Sequence, residues 1–244
     1  MKKFIFSLFA IFLISTQSIF ADENPSKNFY FELSISQGPE KLSPSTDYAG
    51  ASGYVCADCP TGRIGEVNND PSTTKSLKLG YYFSENFSSE LSFYDVDFGT
   101  TTWGTDFSSF NGTYNSSTAT SFSGKLTSTA ILVSANYHFK PIGKLKPFAR
   151  VGVGPSFNKF HEASESTYAT VHKNTHNSVS FKADLGAIYN ISPSFAVNAG
   201  ISFLNLGNFE SAKTRTIGGT ESISPYKFSS GWNNSIFLGL RYSF

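Results

Sequence analysis

The sequence predicts an all-β fold: a transmembrane antiparallel up-and-down β-barrel of eight strands, with four long loops at one end and three short turns at the other. Three observations predict it. Apolar and polar residues alternate with a period of two in eight separate segments. Charged residues make up only 15% of the 244, whereas Phe and Tyr number 25 and 12, so the chain must hide a large core or face lipid. The connections between segments alternate between long and short.

The N-terminus sets the compartment. Lys2 and Lys3 precede an apolar stretch from Phe4 to Ile14, then the more polar Ser15 to Ser18, then Ala21. That order describes a secretory signal peptide over residues 1–21, cut between Ala21 and Asp22, with one domain over 22–244. At about 11 residues the apolar stretch is short of the ~20 that a spanning helix needs. With Asp22 after the cut and no Cys nearby, a lipidated N-terminus is not expected. A net charge of +1 gives no support to a nucleic-acid partner.

Cys56 and Cys59 are the only cysteines, in Cys-Ala-Asp-Cys-Pro. In an exported chain a disulfide is the expected state, and so small a loop would be shaped only locally. Two thiols cannot complete a four-ligand zinc site, and a redox pair sits at a helix start in a βαβ setting, which nothing here resembles.

The eight segments follow in order. Phe29, Phe31, Leu33 and Ile35 oppose Tyr30, Glu32, Ser34 and Ser36; Leu77, Leu79, Tyr81 and Phe83 oppose Ser76, Lys78 and Gly80. The third, near Ser88 to Phe98, sets Leu91 and Phe93 against Glu90 and Ser92, then loses phase at Asp95 through a bulge or by leaving the apolar zone. The fourth sets Ile131, Val133, Ala135, Tyr137 and Phe139 against Leu132, Ser134, Asn136 and His138. In the fifth, Ala149, Val151 and Val153 oppose Arg150, Gly152 and Gly154. Val179 to Tyr189 alternates with Ser180, Lys182, Asp184, Gly186 and Asn190 in the sixth. The seventh opposes Phe195, Val197, Ala199, Ile201 and Phe203 to Asn198, Gly200 and Ser202. The eighth ends the chain with Ile236, Leu238, Leu240, Tyr242 and Phe244 against Ser235, Gly239, Arg241 and Ser243.

Connections after segments one, three, five and seven run to about 35, 25, 17 and 23 residues, far above the ~2–6 usual in compact domains. The others are short, around Ser84–Asn86, Pro141–Lys146 and Ser192–Ser194. An even strand count puts both termini in the periplasm and the long loops outside the cell, which places the chain in the outer membrane and its lipid. The loops are rich in Ser, Thr, Gly and Asn, as in Thr100–Thr102 and Asn115–Thr118, and read as solvated surface instead of a packed lid.

One face of the segments carries nearly all the charge. Glu32, Glu90 and Asp184 stand against Lys78, Arg150, Lys182 and Arg241, with His138 toward the periplasmic end. An eight-stranded lumen is just wide enough for its own side chains, and buried charges persist only when paired. A salt-bridge network plugging the lumen is therefore expected; the sharper alternative is a gate whose pairs exchange partners.

The tail Gly239-Leu240-Arg241-Tyr242-Ser243-Phe244 resembles the Gly-x-x-aromatic-x-aromatic ending of outer-membrane β-barrel proteins, although Phe237 stands where that pattern prefers a polar residue. Lys146 to Gly154 and Glu90 to Tyr94 resemble strands of the eight-stranded OmpA-like transmembrane domain and its opacity-protein relatives. The resemblance implies that Gly239, Tyr242 and Phe244 are read by the barrel-assembly machinery. It also implies a non-catalytic surface protein, a scaffold or adhesin meeting a host or surface ligand through its loops. The peptidoglycan-binding domain of full OmpA-type proteins is not expected, because the chain stops at Phe244.

Candidate contact surfaces are loop one, Pro39 to Thr73, and loop two with Trp103, Phe107, Phe110 and Tyr114, since an exposed aromatic cluster marks a binding patch. The same aromatics would equally pack the loops on one another. An alternative function is a small gated channel with a narrow charged lumen, given room by Gly80, Gly152, Gly154, Gly186, Gly200 and Gly239. A lesser one is an outer-rim lipid or peptide hydrolase using His161, His172 and His176 beside Glu162 and Glu165. Neither a metal nor a cofactor is expected: His172 and His176 would need a helix to align them and a third ligand.

Overall fold

The computed structural model describes residues 28–39, 42–44, 63–106, 116–117, 119–165, 169–217, 220–223, 226–230 and 232–244. The expected signal peptide, Cys56, Cys59, Phe107, Phe110 and Tyr114 lie outside the described residues.

Eight strands build the barrel: β1 (Phe29–Gly38), β2 (Ser72–Tyr82), β3 (Phe87–Asp106), β4 (Thr120–His138), β5 (Leu145–Phe160), β6 (Asn174–Asn190), β7 (Phe195–Asn205) and β8 (Asn233–Ser243). Each pairs antiparallel with its chain neighbour, and β1 also pairs with β8, so the sheet closes. Closure satisfies every ladder N–H and C=O without water, which hydrocarbon demands. At the seam Glu32 faces Arg241 and Phe31 faces Tyr242. Below them Phe29 and Phe244 exchange backbone hydrogen bonds of 3.2 and 2.9 Å.

Three tight turns cap one end. Two share a device: the Ser84 hydroxyl accepts from the N–H groups of Asn86 and Phe87 (3.3 and 3.1 Å), and the Ser192 hydroxyl from those of Ser194 and Phe195 (3.4 and 3.1 Å). Such hydroxyls mimic a backbone acceptor and close the turn. In the third, Ile142 and Leu145 exchange backbone bonds of 2.8 and 3.2 Å around Gly143 and Lys144.

The strands are unequal. β1, β2, β7 and β8 have 10 or 11 residues, about what crosses a bilayer. β3, β4, β5 and β6 have 20, 19, 16 and 17, and run on past that height. The alternation of β3 survives Asp95: Tyr94, Val96 and Phe98 still point inward and Asp95 outward. What changes is the solvent outside, so the inner face turns apolar and the outer face polar. Lys75, Asp95 and Thr129 are register partners on three consecutive strands and mark the level of this change. The bulge comes later, between Asp97 and Thr100. There Gly99, at φ +65°, adopts the left-handed backbone such an irregularity needs, and its N–H bonds Asp97 Oδ1 at 3.0 Å.

The long connections are not the solvated surface their composition suggested. Short strands Ala163–Glu165, Ala169–Val171, Thr214–Ile217 and Thr220–Ile223 extend the main sheet, and Arg63–Asn69 pairs with the far part of β3. Leu42–Pro44, Lys227–Ser230 and Gly207–Glu210 form a separate three-stranded sheet. The physical reason is apolar: Leu42, Val171, Phe209, Tyr226 and Phe228 join Val96, Phe98, Trp103, Phe122, Leu126 and Phe160 in one buried core over the lumen. Trp103 lies flat on Phe122 with centroids 5.8 Å apart, and meets Tyr226 and Phe228 edge-on at 5.5 and 5.3 Å. Aromatic pairs of this kind add ~0.5–1.5 kcal/mol each beyond the area they bury.

Candidate functional site

Below the aromatic core the inward faces bring Glu32, Lys78, Glu90, Arg150, Lys182, Asp184 and Arg241 together, all buried. Arg150 on β5 is the hub. Its Nη1 donates to Asp184 Oδ2 at 2.9 Å and its Nε to Asn136 Oδ1 at 3.0 Å. Its Nη2 lies 3.1 Å from Glu90 Oε2 and 3.8 Å from Glu32 Oε2, ion pairs without the alignment of a hydrogen bond. Lys182 bonds the other oxygen of Asp184. Glu32 is held from two sides, by Lys78 at 2.5 Å and by Arg241, whose Nη2 and Nε reach Oε2 at 2.7 and 3.1 Å.

Neutral groups complete the set. Tyr30 donates to Glu90 at 3.0 Å and Ser92 to its other oxygen at 2.9 Å. Asn136 donates to the Tyr30 and Ser88 oxygens, both at 3.0 Å, and Ser88 meets His138 Nε2 at 2.9 Å. Arg241 also donates to the Tyr82 hydroxyl at 2.6 Å and stacks over the Tyr30 ring at 3.9 Å. Gly80 permits this crowding, because a β-carbon there would overlap the Tyr30 ring. Tyr30, Tyr82, Ser88 and Asn136 were not singled out from the sequence as part of the network; their only signal is inward parity beside the charges. Phe237, the departure in the tail pattern, points inward and sits beneath the Lys78 and Lys182 ammoniums.

The remaining predicted residues fall elsewhere. Gly239 faces the lumen, whereas Tyr242 and Phe244 face outward in an aromatic chain around the turn end. In it Phe195 meets Tyr242 at 4.9 Å, Tyr242 meets Phe244 at 6.1 Å, Phe244 meets Phe29 at 6.1 Å and Phe29 meets Tyr81 at 4.8 Å. Such girdles lie at the membrane interface. Trp103, expected as an exposed loop contact, is 1% exposed, because it lies on β3 with its side chain in the core.

The histidines do not gather. His161 Nε2 meets the Thr127 hydroxyl at 3.0 Å, His172 Nε2 meets that of Thr216 at 3.0 Å, and His176 Nδ1 lies 3.4 Å from Glu210. Partial burial, then Lys159 and Lys125, hold the His161 imidazole below its ordinary value. No group of three His, Cys, Asp or Glu that could hold a metal is found among the described residues.

Comparison with known proteins agrees on the fold. Among solved structures the chain is similar to the outer membrane protein OprG from Pseudomonas aeruginosa, at 12% identity and TM-score 0.56, covering 90% of this chain and 96% of that one. It is similar to the outer membrane protease OmpT from Escherichia coli, at 9% identity and TM-score 0.53, covering 94% and 100%. It is also similar to Neisserial surface protein A, at 13% identity and TM-score 0.48, covering 88% and 97%. No curated protein matches the chain. The family described as outer membrane protein beta-barrel domain matches residues 6–244. Because that match spans nearly the whole sequence and the ring closes as such a barrel must, this chain belongs to the outer membrane protein β-barrel domain family.

Proposed function

We propose that the chain, after export and removal of residues 1–21, works as a non-catalytic surface protein: a closed scaffold that meets its ligand through the parts standing outside the membrane. One observation carries this reading: the lumen is obstructed twice, by the Arg150 network and by the aromatic core above it. Among the described residues these two layers fill the lumen, which supports a reading in which the work lies on the outer surface. That surface is polar above the bilayer, with Asp95, Lys125 and Lys159 exposed. Catalysis is no part of this reading, since each histidine bonds a different partner.

The test is conductance of refolded residues 22–244 in planar bilayers, beside Lys182→Ala and Arg150→Ala. All three are expected to be silent, because the core remains above the altered charges. Discrete openings in the unaltered chain would sink the closed-scaffold reading in favour of a channel. Openings confined to the two variants would make the charge network a gate. Cells displaying the barrel are then expected to adhere to glycan- or matrix-coated surfaces, and to lose this when residues 45–62 are deleted; equal adhesion would remove the loop-one role.

A further inference from the structure

The lumen charges do not balance. Among the described residues the buried carboxylates are Glu32, Glu90 and Asp184, and the buried cations are Lys78, Arg150, Lys182 and Arg241. One positive charge is therefore in excess in a place where charge persists only when paired.

The excess can be located. Arg150 and Arg241 direct their donors at carboxylates, Asn136 and Tyr82. The lysines differ: an ammonium carries three N–H donors, yet Lys78 makes one hydrogen bond, to Glu32, and Lys182 one, to Asp184. Both head groups lie over the ring of Phe237, 5.7 and 5.9 Å from its centroid, and both line one cavity. The rest of its polar wall is hydroxyl, including Ser34, Ser76, Ser202 and Ser235; no carboxylate lines it. Tyr94 lines it too, only 2% exposed, with the Lys182 ammonium 5.3 Å from its ring centroid. The cavity measures about 10 Å³, the scale of a single water-sized species, and its flexible ammonium and hydroxyl walls must give for anything larger.

We propose that this cavity binds a monovalent anion of halide size. Lys78 and Lys182 supply the charge, and the serine hydroxyls supply neutral donors that adjust around them. The occupant closes the charge balance and takes up ammonium donors that Glu32 and Asp184 leave over.

The experiment is urea unfolding of the refolded barrel in zwitterionic micelles, with sodium bromide exchanged for sodium gluconate at constant ionic strength. Gluconate matches the charge but exceeds the cavity. Above its dissociation constant, each tenfold rise in bromide is expected to raise the folded-to-unfolded ratio about tenfold. In Lys182→Met the dependence disappears: the charges balance, and Asp184 keeps Arg150. A flat response in the unaltered chain overturns the proposal and points to an uncharged lysine in its place. A response that persists in Lys182→Met overturns it equally, since the ion then acts elsewhere. Should Lys182→Met fail to fold, anomalous scattering from bromide-grown crystals of the unaltered chain decides, by a peak between the two Nζ atoms or its absence.

Discussion

The half of the barrel beside the short turns and the half beside the long loops use the same strands, but they distribute polarity in opposite ways. Inward along β4 run His138, Asn136 and Ser134, then Leu132 and Ala130, Ser128 satisfied by Asn158, and Leu126 and Phe122. Outward run Phe139, Tyr137, Val133 and Ile131, then Thr129, Thr127 and Lys125. The pleat assigns residues to faces; the medium outside decides which face is greasy. Against lipid the polar groups turn inward and must satisfy one another. Against water the ordinary arrangement returns and hydrocarbon fills the middle.

Two deletions strike these halves at their centres and carry the largest expected effects. Arg150→Met leaves Glu32, Glu90 and Asp184 short of their shared cation and should cost ~3–5 kcal/mol, the usual price of breaking a buried ion pair. Trp103→Ala empties the middle of the upper core and should cost a similar ~3–5 kcal/mol. Urea unfolding of the refolded barrel measures both. A loss under about 1 kcal/mol for either, the scale of an ordinary surface change, would mean that its half is held by something else.

The boundary itself is tested next. Arg at Val133, on the lipid side, should destabilise by ~2–4 kcal/mol if it lies near the bilayer midplane. Arg at Ser123, exposed and outward on the same strand but above the boundary, should stay within about 0.5 kcal/mol. Equal losses in vesicle-embedded barrel would erase the distinction between halves.

The smallest effect belongs to Lys125 and Asp97, an exposed pair at 2.7 Å above the boundary. Lys125→Ala should cost only ~0.2–1 kcal/mol. Partial burial opposes the Asp97 charge, but the Lys125 and Gly99 hydrogen bonds outweigh it and hold the carboxyl below its ordinary value. The pair's contribution is thus present at neutral pH and lost as pH falls through that depressed value. Acid titration of stability should show the step in the unaltered chain and a smaller one in Lys125→Ala.

This opposition of halves also explains what was legible in the sequence. In the bilayer half, one face is hydrocarbon and the other is not, so Phe31 and Glu32, or Val133 and Ser134, declare their sides by parity alone. The charges are conspicuous for the same reason, while Tyr30, Ser88 and Asn136 resemble any other inward polar residue until distances join them. Above the boundary the apolar residues change parity class, from Leu91 and Phe93 to Tyr94, Val96 and Phe98, and a search for one continuous greasy face stops there. In the sequence Trp103 reads as a loop residue, because Gly99, Thr101 and Thr102 lie around it. Strands of three or four residues such as Leu42–Pro44 and Gly207–Glu210 have too little period to detect, and are held by partners distant in the chain.

The seam between β1 and β8 joins residues from opposite ends of the barrel sequence. Glu32 and Arg241 are 209 positions apart, so the loop their meeting closes is nearly the whole chain. Lys78, on the adjoining strand, reaches Glu32 across a far shorter loop. Only the pairing of β8 with β1 brings Glu32 the guanidinium that hydrogen-bonds its Oε2. Zipping the last strand to the first therefore joins two things in one place, the final ladder of backbone bonds and the guanidinium that hydrogen-bonds the first strand's carboxylate.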